Sequence, residues 1–249
     1  MSTTTVTTQT NGAGAVAAKA SPRDVWEKRI SELIDQAQQH KEPYDAEFGK
    51  FTINIHPTVY SPKYFPETWW YAQNMPAIVS KGSWLEVGVG SGLNTVAVAA
   101  AGSAVWGVDI NPNAVATTRK NLATNGLEGT VVESDVFNGL AAAGAPRFDF
   151  IFWNHPWQYD ATVPDQLKSE KTFDGEYKLL RRFVAEAERH LTERGVVLLG
   201  TSAYANRDAI YQIASDSGYA HRELLAGTEP IGSGVVEEYY IIELKKKKN

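Results

Sequence analysis

The chain of 249 residues contains no cysteine. This absence excludes a disulfide scaffold, a thiolate zinc site and a cysteine nucleophile, and it favours the reducing cytoplasm as the location. No apolar run reaches the roughly 18 residues that a membrane-spanning helix needs, so no membrane association is expected. The net charge of -5 at pH 7 provides no general attraction to nucleic acid or anionic membranes. No metal site is predicted.

Both ends of the chain are polar. Residues 1–20 lack the basic start and apolar centre of a signal peptide, and we expect a disordered tail. The lysine run that ends the chain predicts a solvated basic tail at 246–249, with phosphate binding as the alternative. Between these tails we predict an N-terminal helix with an aromatic, substrate-side cap over 21–80, and a ligand-binding α/β domain over 81–245.

The predicted cap begins at Ser21-Pro22, a pair typical of a helix start, and the apolar spacing extends to about residue 40. A short alternating strand at 51–55 is followed by four prolines and six aromatic residues up to position 76. Aromatic side chains on loops stiffened by proline often wall a small-molecule pocket, and Tyr60, Tyr64 and Trp69 are the candidates here. The alternative is an aromatic minicore that closes one end of a sheet.

From residue 83 onward strands and helices alternate, which is typical of a doubly wound α/β sheet. The last two strands are separated only by the segment AGTEPIGSG, so we expect the final strand to be antiparallel. The predicted strands are 84–89, 104–110, 130–135, 148–154, 196–201, 221–225 and 236–244, and the predicted helices are 93–101, 113–125, 138–142, 175–191 and 207–217.

Three glycines separate the first of these strands from its helix. Gly88, Gly90 and Gly92 stand at alternate positions, where a residue without a Cβ permits positive φ and close approach of the backbone to a ligand. This spacing predicts a nucleotide-binding loop between strand and helix. A tight turn that binds nothing is the alternative.

Two acidic residues indicate which nucleotide the loop binds. Asp109 ends the next strand, about twenty residues beyond the glycines, where a carboxylate accepts hydrogen bonds from ribose hydroxyls. A helix cap is the alternative role. Glu86 precedes the glycines, and the dinucleotide pattern has its third glycine where this chain has Leu93. A carboxylate at that point repels a pyrophosphate but suits the ammonium and sulfonium groups of S-adenosylmethionine, which is therefore the predicted cofactor.

Asp135 ends the third strand and could accept the exocyclic amine of an adenine. Val136 follows it and is expected beside the ring. A turn or capping role for Asp135 is the alternative.

The segment Asn154-His155-Pro156-Trp157 follows a buried apolar strand, at the sheet edge where ligands of such folds bind. A conjugated amino group is a poor nucleophile because its lone pair is delocalised. If the Asn154 side-chain oxygen and the His155 carbonyl accept its two N–H bonds, the nitrogen is oriented and its developing charge is stabilised. Pro156 fixes the turn and Trp157 offers a stacking face, whereas His155 is either catalytic or positional.

These motifs resemble those of class I S-adenosylmethionine-dependent methyltransferases over about residues 51–244. LEVGVGSG is similar to their glycine motif, VDINPNAV to their acidic-loop motif, and NHPW to the Asn-Pro-Pro-Tyr motif of amino-directed members. Asn94 and Ile110, which belong to the first two regions, complete the predicted cofactor site. The resemblance implies a Rossmann-like, mostly parallel seven-stranded sheet with an antiparallel last strand.

The segment HPTVYSPKYFPET is also similar to the stretch that precedes the core domain in release-factor glutamine methyltransferases and related small-molecule enzymes. His155 and Trp157 depart from the usual Pro and Tyr. We expect methylation of a nitrogen in a small-molecule or amino-acid-like acceptor, and not of nucleic acid, since residues 43–76 offer little basic surface. The alternatives are O- or C-methylation with Tyr60 or His155 as base, methylation of a protein glutamine or a nucleic-acid base, and a non-catalytic binding partner.

Overall fold

The computed structural model describes residues 20–160, 162–163, 165–169 and 171–247. The predicted tail at 1–19 and the last two residues lie outside the described residues. Helix α1 (Pro22–Gln38) begins with a capping box, in which the Ser21 hydroxyl accepts from the Asp24 amide and the Asp24 carboxylate accepts from the Ser21 amide. Its apolar face buries Trp26, Ile30 and Leu33.

An antiparallel hairpin and a second helix follow α1. The hairpin pairs β1 (Tyr44–Phe48) with β2 (Phe51–Ile55), and α2 spans Glu67–Val79. The prediction of an aromatic loop up to residue 76 was therefore wrong over α2. The helix forms because no proline interrupts it before Pro76, which lies in its last turn, where little of the helix remains to be disrupted.

The main sheet has seven strands in the order β5-β4-β3-β6-β7-β9-β8. Strand β9 lies between β7 and β8 and is antiparallel to both, so the predicted fold class is confirmed. Its strands are β3 (Trp84–Val87), β4 (Val105–Asp109), β5 (Thr130–Glu133), β6 (Phe148–Asn154), β7 (Leu191–Ser202), β8 (Tyr219–Gly232) and β9 (Val235–Lys246). The remaining helices are α3 (Leu93–Ala100), α4 (Pro112–Thr124), α5 (Lys178–Ala187) and α6 (Arg207–Asp216).

Three predicted elements differ from the structure. Residues 138–142 form successive turns, because Ser134 Oγ accepts from the Gly139 amide and ties the segment into a compact loop. The helix predicted at 175–191 is α-helical only in α5, with a short 3-10 turn at each end. Strand β8 extends through most of the predicted loop, since β-bulges accommodate irregularities such as Pro230.

The helices cover both faces of the sheet. Alternate residues of β3 point to opposite faces, so Trp84 joins a core with α1, α2, α3 and the hairpin, whereas Leu85 joins a core with α5 and α6. Residues 21–80 thus share a hydrophobic core with the domain predicted at 81–245. Lys246, placed in the predicted basic tail, belongs to β9 and its Nζ lies 2.6 Å from Glu188 Oε2.

Within the described part of the chain, no helix has both the length and the apolar character to cross a bilayer. In the same residues, no group of three or more histidine, aspartate or glutamate side chains is arranged to hold a metal ion.

Candidate active site

A cavity of about 790 Å³ opens at the carboxyl ends of β3, β4 and β6. The volume is within the range of small-molecule sites. Its walls come from the glycine loop on one side and from α1 and the start of α2 on the other. Thirteen of the predicted site residues line it: Tyr60, Glu86, Gly88, Gly90, Asn94, Asp109, Ile110, Asp135, Val136, Asn154, His155, Pro156 and Trp157.

The glycine loop needs the conformations that only glycine adopts easily. Gly88, Gly90 and Gly92 have φ of 67°, 55° and 76°. Gly92 caps the start of α3 outside the cavity wall, and a Cβ there would lie 2.5 Å from the Thr118 side chain. The Gly90 amide donates to Asp109 Oδ2 at 3.0 Å, which joins the loop to the end of β4. The loop therefore has a fixed shape before any ligand binds.

Glu86 is buried beneath this loop. Its Oε1 accepts from Asn94 Nδ2 at 2.8 Å and its Oε2 from Thr95 Oγ1 at 2.5 Å, while burial raises the pKa of the carboxyl to about 7. The other amide atom, Asn94 Oδ1, is buried without a hydrogen-bond partner in the described residues. A carboxyl and a free carbonyl oxygen together are acceptors for a ligand ammonium group, so these residues fit the amino-acid part of S-adenosylmethionine.

Asp109 lies at the end of β4, directly beside the glycine loop. Its Oδ1 accepts from the Asn111 amide at 2.9 Å. Burial raises the pKa of the carboxyl, although the hydrogen bonds from the Asn111 and Gly90 amides and the positive charge of Lys171 act to lower it. The next residue, Ile110, is 63% exposed and lines the cavity. A carboxylate with remaining lone pairs beside an exposed apolar surface suits a ribose followed by a flat base.

Asp135 and Val136 form the far wall. Arg182 of α5 donates to both carboxylate oxygens of Asp135. Val136 has a φ of 52°, which is rare for a β-branched residue, and the Ser134 hydroxyl donates to its carbonyl at 2.8 Å. Backbone strain of this kind persists where the surroundings impose it and is common at ligand sites.

Asn154 ends β6 and points its amide at the cavity. Trp157 Nε1 donates to Asn154 Oδ1 at 3.2 Å, and the Tyr177 hydroxyl donates to the Trp157 carbonyl at 2.8 Å. A carbonyl oxygen accepts two hydrogen bonds, so Oδ1 has one position left for a ligand N–H. The Tyr177 hydroxyl thus fixes the turn through the Trp157 carbonyl, and the Trp157 indole orients the Asn154 amide.

His155 is buried in the same turn. Its Nδ1 lies 2.8 Å from the Pro156 carbonyl, which requires Nδ1 to carry the proton, and its Nε2 has no partner in the described residues. Burial lowers the pKa of the imidazole to about 4. The ring is therefore neutral at physiological pH, and it fixes the turn in place.

Two predicted substrate residues lie outside the cavity. Tyr64 lies in a separate surface cleft, where its hydroxyl is 2.7 Å from His40 Nε2. Trp69 packs against Phe48 with ring centroids 5.8 Å apart and lies under Gly49. Trp69 lies on the side of α2 that the β1–β2 hairpin covers, whereas Tyr64 lies in the turn before α2, with its ring against His40.

Sequence reasoning missed Trp26 and Glu67, which line the cavity, and Glu237, which lies behind its wall. Trp26 Nε1 donates to Glu237 Oε1 at 2.6 Å across 211 residues of sequence. One signal was present: strand alternation in β9 puts Glu237 on the inward face between Val235 and Tyr239. An inward carboxylate on a buried strand is unusual and could have been singled out.

The sequence matches the methyltransferase small domain family over residues 50–209. A Methanocaldococcus jannaschii protein named as an N5-glutamine methyltransferase is 31% identical over 169 residues, which cover 65% of this chain and 81% of that protein. The ribosomal RNA small subunit methyltransferase C of Alcanivorax borkumensis is 30% identical over 147 residues, 59% of this chain. The chain spans only 39% of the length of that relative.

Solved structures show the same fold. A T. thermophilus 16S rRNA N2 methyltransferase in complex with AdoMet and guanosine superimposes with a TM-score of 0.59 and 21% identity, over 83% of this chain and 50% of that one. The Pyrococcus abyssi tRNA (uracil-54, C5)-methyltransferase in complex with S-adenosyl-L-homocysteine superimposes with a TM-score of 0.57 and 17% identity. The match covers 82% of this chain and 45% of that one.

Proposed function

Because this chain belongs to the methyltransferase small domain family and is an S-adenosylmethionine-dependent methyltransferase, we propose that it methylates a planar nitrogen held by Asn154. One observation carries the proposal. The Asn154 amide, oriented by Trp157, faces the cavity that the glycine loop and Asp109 also line.

When bound, S-adenosylmethionine supplies an electrophilic methyl carbon on its sulfonium sulfur. Glu86 and Asn94 Oδ1 would receive the ammonium group, and Asp109 the ribose hydroxyls. Ile110 and Val136 would enclose the adenine. Asp135 would accept its exocyclic amine, with Arg182 holding the carboxylate in place.

On the acceptor side, Asn154 Oδ1 and the His155 backbone carbonyl would accept the two N–H bonds of the amino group. This arrangement aims the nitrogen lone pair and stabilises the positive charge that develops as the N–C bond forms and the C–S pair withdraws to sulfur. The surplus proton leaves after the methyl group has arrived, so no strong base is required. The low pKa of His155 supports a positional role, in which its Nδ1–H holds the Pro156 carbonyl.

The relatives named above support the choice of nitrogen, since an N5-glutamine and an N2 methyltransferase both act on nitrogen by name. They do not support the sequence-based expectation against nucleic acid, because two of the similar proteins are named for ribosomal RNA. A small-molecule or amino-acid-like acceptor remains our proposal on the ground that the cavity is walled by α1 and α2 beside Asn154.

The test combines binding with product analysis. Calorimetry should detect S-adenosylhomocysteine binding, and incubation of a cell extract with methyl-labelled donor should give a product whose mass spectrum places the label on nitrogen. A label on oxygen or carbon would reject the nitrogen proposal. Binding without transfer to any extract component would favour a non-catalytic partner.

A further inference from the structure

Within the described residues, a buried carboxyl group without an ion-pair partner lies on the side of the cavity formed by α2, which we call the acceptor end. Glu67, the first residue of α2, lines the cavity and is 1% exposed. The Tyr60 hydroxyl lies beside this carboxyl, yet Glu67 Oε1 has no hydrogen-bond partner among the described residues. An unpartnered buried carboxyl oxygen is rare in folded proteins and indicates that something else supplies the partner.

A second carboxyl, Glu237, lies close behind Glu67 and is equally buried. Unlike Glu67, it is held in place: Trp26 donates to its Oε1 at 2.6 Å and the Tyr239 hydroxyl to its Oε2 at 3.0 Å. No lysine, arginine or histidine of the described chain forms an ion pair with either carboxyl. Burial raises the pKa of both groups, and repulsion from Glu237 raises that of Glu67 further.

Aromatic residues line the same cavity as Glu67, and the hydroxyl of one of them, Tyr60, lies beside its carboxyl. They include Trp26, Tyr60 and Trp157, and the first two each stack on a further aromatic ring. Trp26 stacks on Tyr204 with centroids 4.4 Å apart, and Tyr60 stacks on Phe65 at 4.1 Å. Trp157 also donates to Asn154, so this enclosure adjoins the position proposed for the reacting nitrogen.

We propose that Glu67 and the rings of Trp26, Tyr60 and Trp157 bind a cationic nitrogen of the acceptor, an alkylammonium or guanidinium group. This inference rests on the proposed function and names the substrate class of the same site. Aromatic faces attract cations, and a buried carboxylate pairs with one, so the two features select the same ligand charge. Glu237 is a positioning residue, because it holds Trp26 and adds negative potential behind Glu67.

A neutral N–H donor explains the site less well. One carboxylate is enough to accept from an amide or a base edge, whereas a second buried carboxyl behind it adds repulsion that a neutral donor leaves unrelieved. A cation compensates both groups at once and displaces the proton that they otherwise retain.

The acceptor can be classified without knowing its identity. Extract of the source organism is separated at pH 7 on cation and anion exchangers, and each fraction is incubated with protein and methyl-labelled S-adenosylmethionine. We expect the labelled product to come from the fraction retained by the cation exchanger. A product arising only from the unretained fraction, or from the anion-retained fraction that holds nucleic acid, would overturn the inference.

Two conservative variants and one matched control locate the interaction. With the retained fraction, Glu67→Gln should raise KM about 10- to 100-fold with little change in kcat, as expected for loss of a charged hydrogen-bond partner. Glu237→Gln should raise KM less. Glu238→Gln, on the exposed face of the same strand, should leave KM unchanged. An unchanged KM in Glu67→Gln would refute the inference.

Further readouts separate this role from a structural one and from the proposed function. Glu67→Gln should bind S-adenosylhomocysteine as wild type and keep or raise the melting temperature at pH 8, because the substitution removes a buried charge. Label on oxygen of a cationic acceptor would reject nitrogen transfer and preserve this inference. Label on nitrogen of a neutral or anionic acceptor would support nitrogen transfer and reject this inference. The absence of labelled product in every fraction would reject both the proposed function and this inference.

Discussion

The carboxyl groups at the two ends of the cavity differ in how far their hydrogen bonds are satisfied within the described residues. At the donor end, Glu86 accepts from Asn94 and Thr95, and Asp109 accepts from the Gly90 and Asn111 amides. At the acceptor end, Glu67 Oε1 is buried without a partner in the described chain. The donor end is therefore organised before a ligand arrives, whereas the acceptor end is completed by what it binds.

This difference separates two kinds of energetic cost. A preorganised site loses little free energy to ordering when the ligand enters, which favours tight donor binding. An unpaired buried carboxyl costs free energy in the unliganded protein. A cationic acceptor removes that cost and a neutral or anionic one does not, which favours selectivity. Substitutions at the two ends should therefore affect different measurements.

The largest effect is expected from Asp109→Ala. The substitution removes the acceptor for the ribose hydroxyls and frees the Gly90 amide, so S-adenosylhomocysteine affinity should fall about 10²- to 10⁴-fold, from charged hydrogen bonds of about 1.5–3 kcal/mol each. Calorimetry measures this loss. Asp208→Ala, an exposed position on α6, is the control and should bind normally. Unaltered affinity in Asp109→Ala would remove Asp109 from the donor site.

Asn154→Ala should act on turnover instead. Loss of an acceptor that stabilises charge only in the transition state should lower kcat by about 10²- to 10³-fold, with S-adenosylhomocysteine affinity almost unchanged. Single-turnover kinetics with labelled donor provide the measurement, and Gln212→Ala on the outer face of α6 is the control. A wild-type rate in Asn154→Ala would reject the positioning mechanism.

Trp157→Phe tests the orientation of Asn154 with a smaller expected change. The variant keeps an aromatic ring and removes the Nε1–H that bonds Asn154 Oδ1, so kcat should fall about threefold to tenfold, the effect of one neutral hydrogen bond. Trp106→Phe, on β4, controls for the loss of an indole. If both variants show equal rates, the bond to Asn154 has no part in turnover.

The smallest effect concerns stability and pH. Burial raises the folded pKa of Glu86 from 4.5 to about 7, so between these values the folded protein retains a proton that the unfolded chain has released. The contribution of Glu86 to the unfolding free energy therefore decreases as pH rises through this interval and levels off above it. Donor affinity should change in the opposite direction, since the ionised Glu86 favours an ammonium group.

Melting curves and calorimetry from pH 5 to 8 can measure both trends. Glu86→Gln should reduce the pH dependence of each, whereas Glu128→Gln at the surface should reproduce the wild type. Because the lowered pKa of His155 contributes the opposite slope to both proteins, the comparison decides: a Glu86→Gln variant with the wild-type pH dependence would contradict the raised pKa of Glu86.

The residues predicted to bind the donor, Gly92 excepted, lie around one cavity, and their signals in the sequence are local. Gly88, Gly90 and Gly92 need positive φ within one turn, and Asp109 ends the neighbouring strand at a spacing set by the βαβ unit. Parallel strand order then brings Asn154 to the same edge. Most strand and helix positions followed from periodicity, whereas α2, the turns at 138–142 and the extension of β8 did not.

The acceptor end could not be predicted in the same way, because its parts come from distant segments. Trp26 and Glu237 meet across the sheet through packing that no local pattern specifies. Tyr64 and Trp69 carried the aromatic signal, but Trp69 belongs to α2 and packs against the hairpin, and Tyr64 lies in the preceding turn beside His40. Tertiary packing decides which face of a short helix is buried, and one sequence alone does not reveal it.

The insertion of β9 between β7 and β8 has a consequence for how the protein acquires its activity during synthesis. Strands β3, β4 and β6, with the loop proposed to bind the donor, have been translated before β9. Glu237 and Tyr239 belong to that last strand. The Trp26 indole therefore has no Glu237 carboxyl to donate to until a strand 211 residues further along the chain has been made. Contacts of such long range form slowly and late. The acceptor end therefore lacks its positioning residue, Glu237, until the last strand has been added to the sheet.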